Sequence, residues 1–552
     1  MNKKVLIFLI LIVILASFLR LWRIGEAPIS PDWDEVALGY NAYSILHTGR
    51  DEYGKFLPFV FQSFNDYKPA LYAYLTIPFI AILDLTVVAV RLPSAIFGIL
   101  SVLALFFLVK EIFKKDNIAL LSSLLLAISP WHIQFSRVGF ESNVGLAFNI
   151  FAILFFLKGL RKPKYLILSV ILFALNIYVY QSEKAISPLF LFLLMSVFSK
   201  QFFSSTKKIL LTAFLVGFVI ALPMFVFIVT NKESLLRAQG VSIFSDRTTL
   251  QENVQRQQYS QNINDKIGSL LNNRRIEFAK VAVSGYISHF DLNWLFTKGD
   301  SQIDRHHVPN MGLMYIFELP FLLIGIYSFL FNSLGLSYDN KTKYFLLGWI
   351  LLAPIPAAFT TGVPHSVRTI NFLPVLQILT AFGLLTFITI FLQSIKSGII
   401  RKTILLFLAI IILLNLTYYL DQYFVQQNYY YAKDWQYGYK ELIDYLKPQH
   451  KQYNKIIVSN KVPMDQSYMF FLFYLKYDPK KYLSEGGTNS GKLEEKGNRF
   501  ANFEFRKFDY SQENEKNILL IGSPSDFLQV YKTIYEVYYP DKTLAIKVVE
   551  KK

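Results

Sequence analysis

Four short stretches carry the residue types that handle a phosphate and a hydroxyl. The first reads Pro31-Asp32-Trp33-Asp34-Glu35-Val36-Ala37-Leu38-Gly39-Tyr40, with Asp34 and Glu35 opening a predicted helix behind Pro31. Acids there complement the helix dipole, yet a carboxylate so placed is also a candidate general base for a hydroxyl proton. The second, Asn65-Asp66-Tyr67-Lys68-Pro69-Ala70-Leu71-Tyr72, sets a lysine before a proline-started apolar helix. Such a lysine either snorkels or holds an anionic headgroup where a reduced dielectric strengthens the pairing. In the third, Ser136-Arg137-Val138-Gly139-Phe140-Glu141, an arginine and a glutamate lie four apart. That spacing gives an ordinary helical ion pair, whereas ionisable groups beside a dry bundle tend to mark a site. The fourth, Gly362-Val363-Pro364-His365-Ser366-Val367-Arg368, ends on an arginine that snorkels or binds phosphate.

The elements that must position these residues are apolar. Of 552 residues 53% are hydrophobic and 16% aromatic, concentrated in long uninterrupted runs. A helix needs about 20 apolar residues to cross the hydrocarbon layer. Eleven candidates lie near 4–22, 92–109, 118–130, 144–158, 164–180, 185–199, 209–229, 312–334, 344–361, 369–395 and 403–420. The sequence therefore predicts a polytopic α-helical membrane protein with about 11 transmembrane helices, which excludes most cytosolic enzymes and disordered classes.

Basic residues set the expected orientation. Lys3 and Lys4 precede the first span, and every second loop thereafter is short and basic, for example Lys110, Lys114 and Lys115, or Lys396, Arg401 and Lys402. The expected topology has the N-terminus cytoplasmic and outer segments at 23–91, 130–143, 231–311 and 362–368 in a catalytic domain of residues 1–420. This alternation requires that residues 69–83, although apolar, form an interfacial or re-entrant helix rather than a span. Residues 421–552 change character: strand-like runs at 455–458, 517–522 and 544–549 alternate with helical patterns, predicting a small extracytoplasmic α/β domain.

A formal charge of +17 raises nucleic acid as a partner, but the charge sits in loops between spans and no nucleic-acid-binding pattern accompanies it. Cysteine is absent, which excludes disulfides and thiolate metal sites. His306 and His307 tempt a zinc assignment, but adjacent residues do not share a helical face and no HExxH spacing exists. No metal is assigned and no cofactor is required; a divalent cation is left open but not indicated. Inside the expected spans Glu318 is the exceptional ionisable residue, which argues against a proton- or sodium-coupled transporter. Acids, histidines and arginines instead gather on the expected outer side, pointing to chemistry there on a lipid reactant.

Taken together, Asp34-Glu35, Tyr67-Lys68-Pro69-Ala70-Leu71-Tyr72, Arg91-Leu92-Pro93-Ser94, Arg137…Glu141 and His365…Arg368 resemble the GT-C glycosyltransferases. The bacterial branch similar to protein O-mannosyltransferases and aminoarabinose lipid A transferases fits best, over most of residues 1–420. The resemblance implies a polyprenyl-phosphate-linked sugar as donor and a hydroxyl of a protein, lipid or glycan as acceptor. It also implies inversion at the anomeric carbon and action at the outer face of the cell membrane. By the same resemblance Asp34 is the base with Glu35 beside it, and Lys68, Arg137 and Arg368 bind the donor phosphate. Glu141, His365, Tyr40 and Asp66 would contact sugar or acceptor. Ala37 and Leu38 stand where the lipid A branch has an Arg-Tyr pair, and Tyr67 where it has Glu, which argues against lipid A as acceptor. Lys433-Asp434-Trp435-Gln436-Tyr437-Gly438 only partly matches the WWDYG motif of oligosaccharyltransferases. A lipid-linked sugar flippase and a non-catalytic membrane scaffold are the competing functions.

Overall fold

The computed structural model describes residues 2–552 except 65, 232–241, 246, 301, 332–337, 490–496, 528 and 530, together with the side chains of 66 and 247–250. Parts of the expected outer segment 231–311 and the side chain of Asp66 thus lie outside the described residues. Along the chain run α1 (Lys3–Leu21), α2 (Trp33–Thr48), a hairpin of β1 (Val60–Ser63) and β2 (Asp66–Pro69), α3 (Leu71–Leu83) and α4 (Val87–Phe113). After them come α5 (Asp116–Ile128), α6 (Pro130–Ser136), α7 (Glu141–Gly159), α8 (Lys164–Asn176) and α9 (Glu183–Val197).

Among the described residues six helices are long and apolar enough to cross a membrane: α1, α4, α7, Lys207–Thr230, Ile370–Ser394 and Gly398–Tyr430. The chain is a helical membrane protein. A seventh crossing arises if α5 and α6, bent by 59° at their junction, count as one. Pro130 opens α6, and a proline has no N–H with which to continue the α5 hydrogen-bond ladder. Others of the eleven expected spans hold shorter helices, such as α8 with 13 residues, α9 with 15 and Glu318–Phe331 with 14. Helices of that length rise about 20 Å, short of the roughly 30 Å hydrocarbon layer. Residues 69–83 contain α3, whose 13 residues are likewise too few to span unaided.

The fold divides into two compact units that interleave along the chain, whereas a division at residue 420 would be linear. The first comprises Met1–Ala16, Leu100–His132 and Gly145–Asn415, and the second comprises Ser17–Ile99, Ile133–Val144 and Leu416–Lys552.

Within the first unit the helix Glu318–Phe331 packs along Leu373–Thr386 through two glycines. A Cβ on Gly325 would stand 1.9 Å from the Leu379 carbonyl oxygen, and one on Gly383 would stand 1.8 Å from that of Phe321. Small residues at a membrane helix crossing let backbones touch, and a backbone cannot swing aside as a side chain does. Gly383→Ala is therefore expected to force the pair apart at a cost of about 1–3 kcal/mol or more. Thermal unfolding of detergent-purified protein checks this, and an unchanged midpoint would refute the close crossing.

The same unit buries an acid that the sequence reading left out of the spans. Glu183, 0% exposed, accepts hydrogen bonds from the side-chain amides of Asn149 (2.6 Å), Asn176 (2.9 Å) and Asn371 (2.7 Å). Glu318 is thus not alone. The apolar run seemed to begin at 185, but the helix begins at Glu183, and the carboxylate is tolerated because amides on three segments satisfy it.

In the second unit a six-stranded mixed sheet is built from the tail. Its strands are β3 (Lys455–Val458), β4 (Asn498–Phe500), β5 (Phe503–Phe505), β6 (Ile518–Gly522), β7 (Thr533–Tyr538) and β8 (Leu544–Lys551). Their order is β4-β5-β3-β6-β8-β7, with β3 parallel to both β5 and β6. Every residue of β6 is buried, as a strand covered on both faces requires. The tail also packs on α2: a Cβ on Gly39 would lie 2.6 Å from Val90 and 2.8 Å from the Phe473 ring, so glycine lets α2 fit between them.

Candidate active site

The start of α2 is fixed by a cap that the sequence already contains. Asp32 accepts the Glu35 N–H at 2.9 Å and Glu35 accepts the Asp32 N–H at 3.3 Å, a reciprocal capping box that fits the D-x-x-E spacing. The tail adds to it, since Gln436 accepts the Trp33 N–H at 2.8 Å. Glu35 then turns inward. Its carboxylate, 2% exposed, receives Nε and Nη2 of Arg91 at 2.8 and 3.0 Å and the Gly139 N–H at 2.9 Å. The Arg91 guanidinium also donates to the carbonyls of Ile24, Pro28 and Ser30. Expected among the catalytic acids, Glu35 is instead committed to holding three segments together around α2. Gly139 must be small here, for a Cβ would meet Glu35 Cγ at 3.2 Å.

Asp34, one residue earlier, lies half-exposed, and Lys68 donates a hydrogen bond to its Oδ1. The lysine is carried on β2 opposite Phe61 in the hairpin and sits over the Phe64 ring at 5.4 Å. Burial alone would lower the Lys68 pKa, but the carboxylates of Asp34 and Glu141 outweigh it and raise the pKa above the usual lysine value. The ammonium therefore stays charged across the neutral range. Glu141 is buried as the first residue of α7, close enough to act electrostatically on Lys68. Asp34, Lys68 and Glu141 thus form one charged cluster within the second unit. Asp66 opens β2 two residues before Lys68, and its side chain lies outside the described residues.

Two other expected contacts do not reach that cluster. Arg137 is buried and donates to the carbonyls of Leu19 (2.8 Å), Trp22 (2.6 Å) and Ala27 (3.1 Å), under the rings of Tyr423 and Phe424. It ties down the end of α1 rather than facing a ligand, because a buried guanidinium must be hydrogen-bonded and backbone carbonyls lie nearest. Tyr40 is fully buried on the next turns of α2, where its hydroxyl donates to the Tyr477 carbonyl at 3.1 Å.

His365 and Arg368 belong to the first unit. Arg368 donates to Thr360 Oγ1 (2.6 Å) and the Thr361 carbonyl (3.0 Å). His365 stands in a buried group around Asp300, whose carboxylate accepts from Trp294 Nε1 (2.7 Å), the Ser366 hydroxyl (2.7 Å) and His306 Nδ1 (2.7 Å). Burial opposes ionisation of Asp300, but the hydrogen bond and charge of His306 prevail and hold it well below the usual carboxylate range. Asp300 lies six residues before His306 and sixty-five before His365, and only folding sets it beside both histidines.

Glu52 is a further buried acid that the sequence did not single out. It joins the segment after α2 to the tail, receiving Asn41 Nδ2 (3.0 Å), the Thr488 hydroxyl (2.7 Å) and the Tyr468 hydroxyl (3.3 Å). Burial pushes its pKa up to about 7 despite those donors. A carboxyl whose folded pKa exceeds its unfolded value binds more protons when folded, so stability falls as pH rises from about 4.5 to 7. The expected loss is roughly 3 kcal/mol at most. Thermal unfolding at pH 5 and pH 8 should show the native chain less stable at pH 8, and Glu52→Gln should shrink the difference. An equal difference in both would refute it.

No curated relative matches the chain by sequence. Residues 67–227 match the family model of dolichyl-phosphate-mannose-protein mannosyltransferase. The fold is similar to that of ArnT from Cupriavidus metallidurans bound to undecaprenyl phosphate, with TM-score 0.53 and 11% identity over 99% of this chain and 98% of that one. It is also similar to the archaeal oligosaccharyltransferase AglB from Archaeoglobus fulgidus, solved with an inhibitory peptide and a dolichol-phosphate. There the TM-score is 0.52 and the identity 13%, over 86% of this chain and 63% of AglB, so the chain spans less than two thirds of that relative. From the family match and these two folds, the chain is a membrane protein of the GT-C glycosyltransferase fold that resembles the O-mannosyltransferases and ArnT.

Proposed function

We propose that the chain transfers one sugar from a polyprenyl-phosphate donor to an acceptor hydroxyl at the outer face of the cell membrane, with inversion. The observation that carries this reading is the paired carboxylate and ammonium of Asp34 and Lys68, with Glu141 beside them, partly open while the neighbouring Glu35–Arg91 pair is sealed. The acceptor oxygen attacks the sugar C1 as the C1–O bond to phosphate breaks. The bonding electrons leave with the polyprenyl phosphate, and the hydroxyl proton passes to Asp34. Lys68 exchanges its bond to Asp34 for one to the donor phosphate, which frees the base as the substrate binds and stabilises the charge that grows on the leaving group. Glu141 and Asp66 contact sugar or acceptor hydroxyls.

Two features support a lipid donor. The solved folds similar to this one hold dolichol-phosphate and undecaprenyl phosphate. Within the first unit, a groove of about 460 Å³ between α8, α9 and Lys207–Thr230 is lined by Phe173, Leu191, Phe214 and Phe218, with Lys184 as its cation. An apolar trough of this kind suits an isoprenoid chain. Eleven crossings with a cytoplasmic N-terminus, and an extracytoplasmic 421–552, complete the proposed topology.

The test is sugar transfer by the full chain in lipid nanodiscs, supplied with radiolabelled polyprenyl-phosphate monosaccharides and membrane extract as acceptor. Label should move to an acceptor with release of polyprenyl phosphate. Movement of intact donor across a proteoliposome membrane without transfer would replace this reading by that of a flippase.

A further inference from the structure

The group around Asp300 is built like a metal site. Asp300, His306 and His365 are all buried, and each offers a ligand atom lying within 4.8 Å of the other two. The His306 and His365 rings stand 5.1 Å apart. His365 Nδ1 is enclosed by protein and has no hydrogen-bond partner, although its residue is only 6% exposed. A buried imidazole nitrogen left in this state is costly, and a cation is the partner that two imidazoles and a carboxylate suit together.

The surroundings add what a ligand set needs. The Asp300 carboxylate is oriented by Trp294 Nε1 and by the backbone N–H and hydroxyl of Ser366. The backbone of His365 is held in turn, its N–H donating to His289 Nε2 at 3.2 Å. His289 Nδ1 lies 2.7 Å from the Gly285 carbonyl, which fixes that ring as the acceptor at Nε2. Such outer hydrogen bonds are what orient first ligands in metal sites. Gly299 makes room as well: its φ is +68 and a Cβ would stand 2.6 Å from the His307 ring.

We propose that Asp300, His306 and His365 bind one zinc-type divalent cation, leaving a fourth position for water. Zinc with bonds of about 2.0–2.2 Å sets its ligand atoms about 3.3–3.6 Å apart in a tetrahedron. Drawing in the side chains by about an ångström reaches that spacing, while the present 2.7 Å contact between His306 and Asp300 opens slightly as the cation replaces the shared proton. The ion would clamp the segment bearing Asp300 and His306 to the turn that carries His365 and Arg368. Nothing in this site depends on sugar transfer.

The experiment uses untagged full chain in nanodiscs. Metal content is measured after purification, and cobalt is titrated into chelator-treated protein with the visible d–d band as readout. One equivalent of zinc and a tetrahedral cobalt band are expected. X-ray absorption of the zinc-loaded native chain should give nitrogen and oxygen neighbours at about 2.0–2.2 Å with imidazole scattering. His365→Ala should weaken cobalt binding by more than the roughly 10–100-fold that loss of an outer partner costs, while His47→Ala, on α2, leaves it unchanged. A native chain with no stoichiometric metal and no tetrahedral band, or equal binding by His365→Ala, would overturn the proposal.

Discussion

Asp34→Asn is expected to lower sugar transfer by about 10²–10⁴-fold, the usual worth of a general base, with little change in stability. The substitution keeps an oxygen to accept from Lys68, the aspartate is half-exposed, and Asp32 and Glu35, not Asp34, form the helix cap. What is removed is the carboxylate charge facing Lys68 and, with it, proton acceptance. If Asp34 instead served to hold Lys68, the amide would preserve most of the rate and the loss would appear in KM. Initial rates over a range of donor concentrations, beside thermal unfolding of the same samples, separate these outcomes. A variant that retains full kcat ends the assignment of Asp34 as base.

The second large effect falls on stability. Arg91→Met should cost about 3–5 kcal/mol, the range for breaking a buried ion pair and leaving one charge behind. Glu35 would keep only the Gly139 and Asp32 amides, while the carbonyls of Ile24, Pro28 and Ser30 would lose their donor. The expected result is a chain that is extracted poorly or unfolds many degrees early. Combining Glu35→Met with Arg91→Met should recover part of the loss, because the stranded carboxylate is then gone, though three carbonyls stay unpaired. Equal instability of the single and double variants would show that the guanidinium acts through those carbonyls alone. The contrast with Asp34→Asn is informative: adjacent acids, one failing in rate and the other in fold.

That contrast also marks what was legible beforehand. The sequence placed Asp34 and Glu35 together at a helix start, and no rule of spacing tells two neighbouring carboxylates apart. Their environments do so: one meets a guanidinium from α4, fifty-six residues away, and the other meets a lysine on a hairpin. Arg137 shows the same limit. A basic residue in a loop between apolar runs reads as available for a phosphate, yet this one is spent on three carbonyls at the end of α1. Adjacent His306 and His307 tempted a zinc assignment, but the groups that folding sets beside His306 come from positions 300 and 365.

What the chain's order of residues determined by itself was local: the apolar runs that make it a membrane protein, the capped start of α2, the strand-forming segments of the tail, and the short helix at 71–83. Each follows from interactions within a few residues, from hydrophobic periodicity, or from the length a helix needs to cross lipid. Tertiary structure decided which charged groups were sealed as supports and which were left open to react. Burial and pairing across dozens or hundreds of residues set a side chain's chemistry, and those neighbours exist only once the chain has folded.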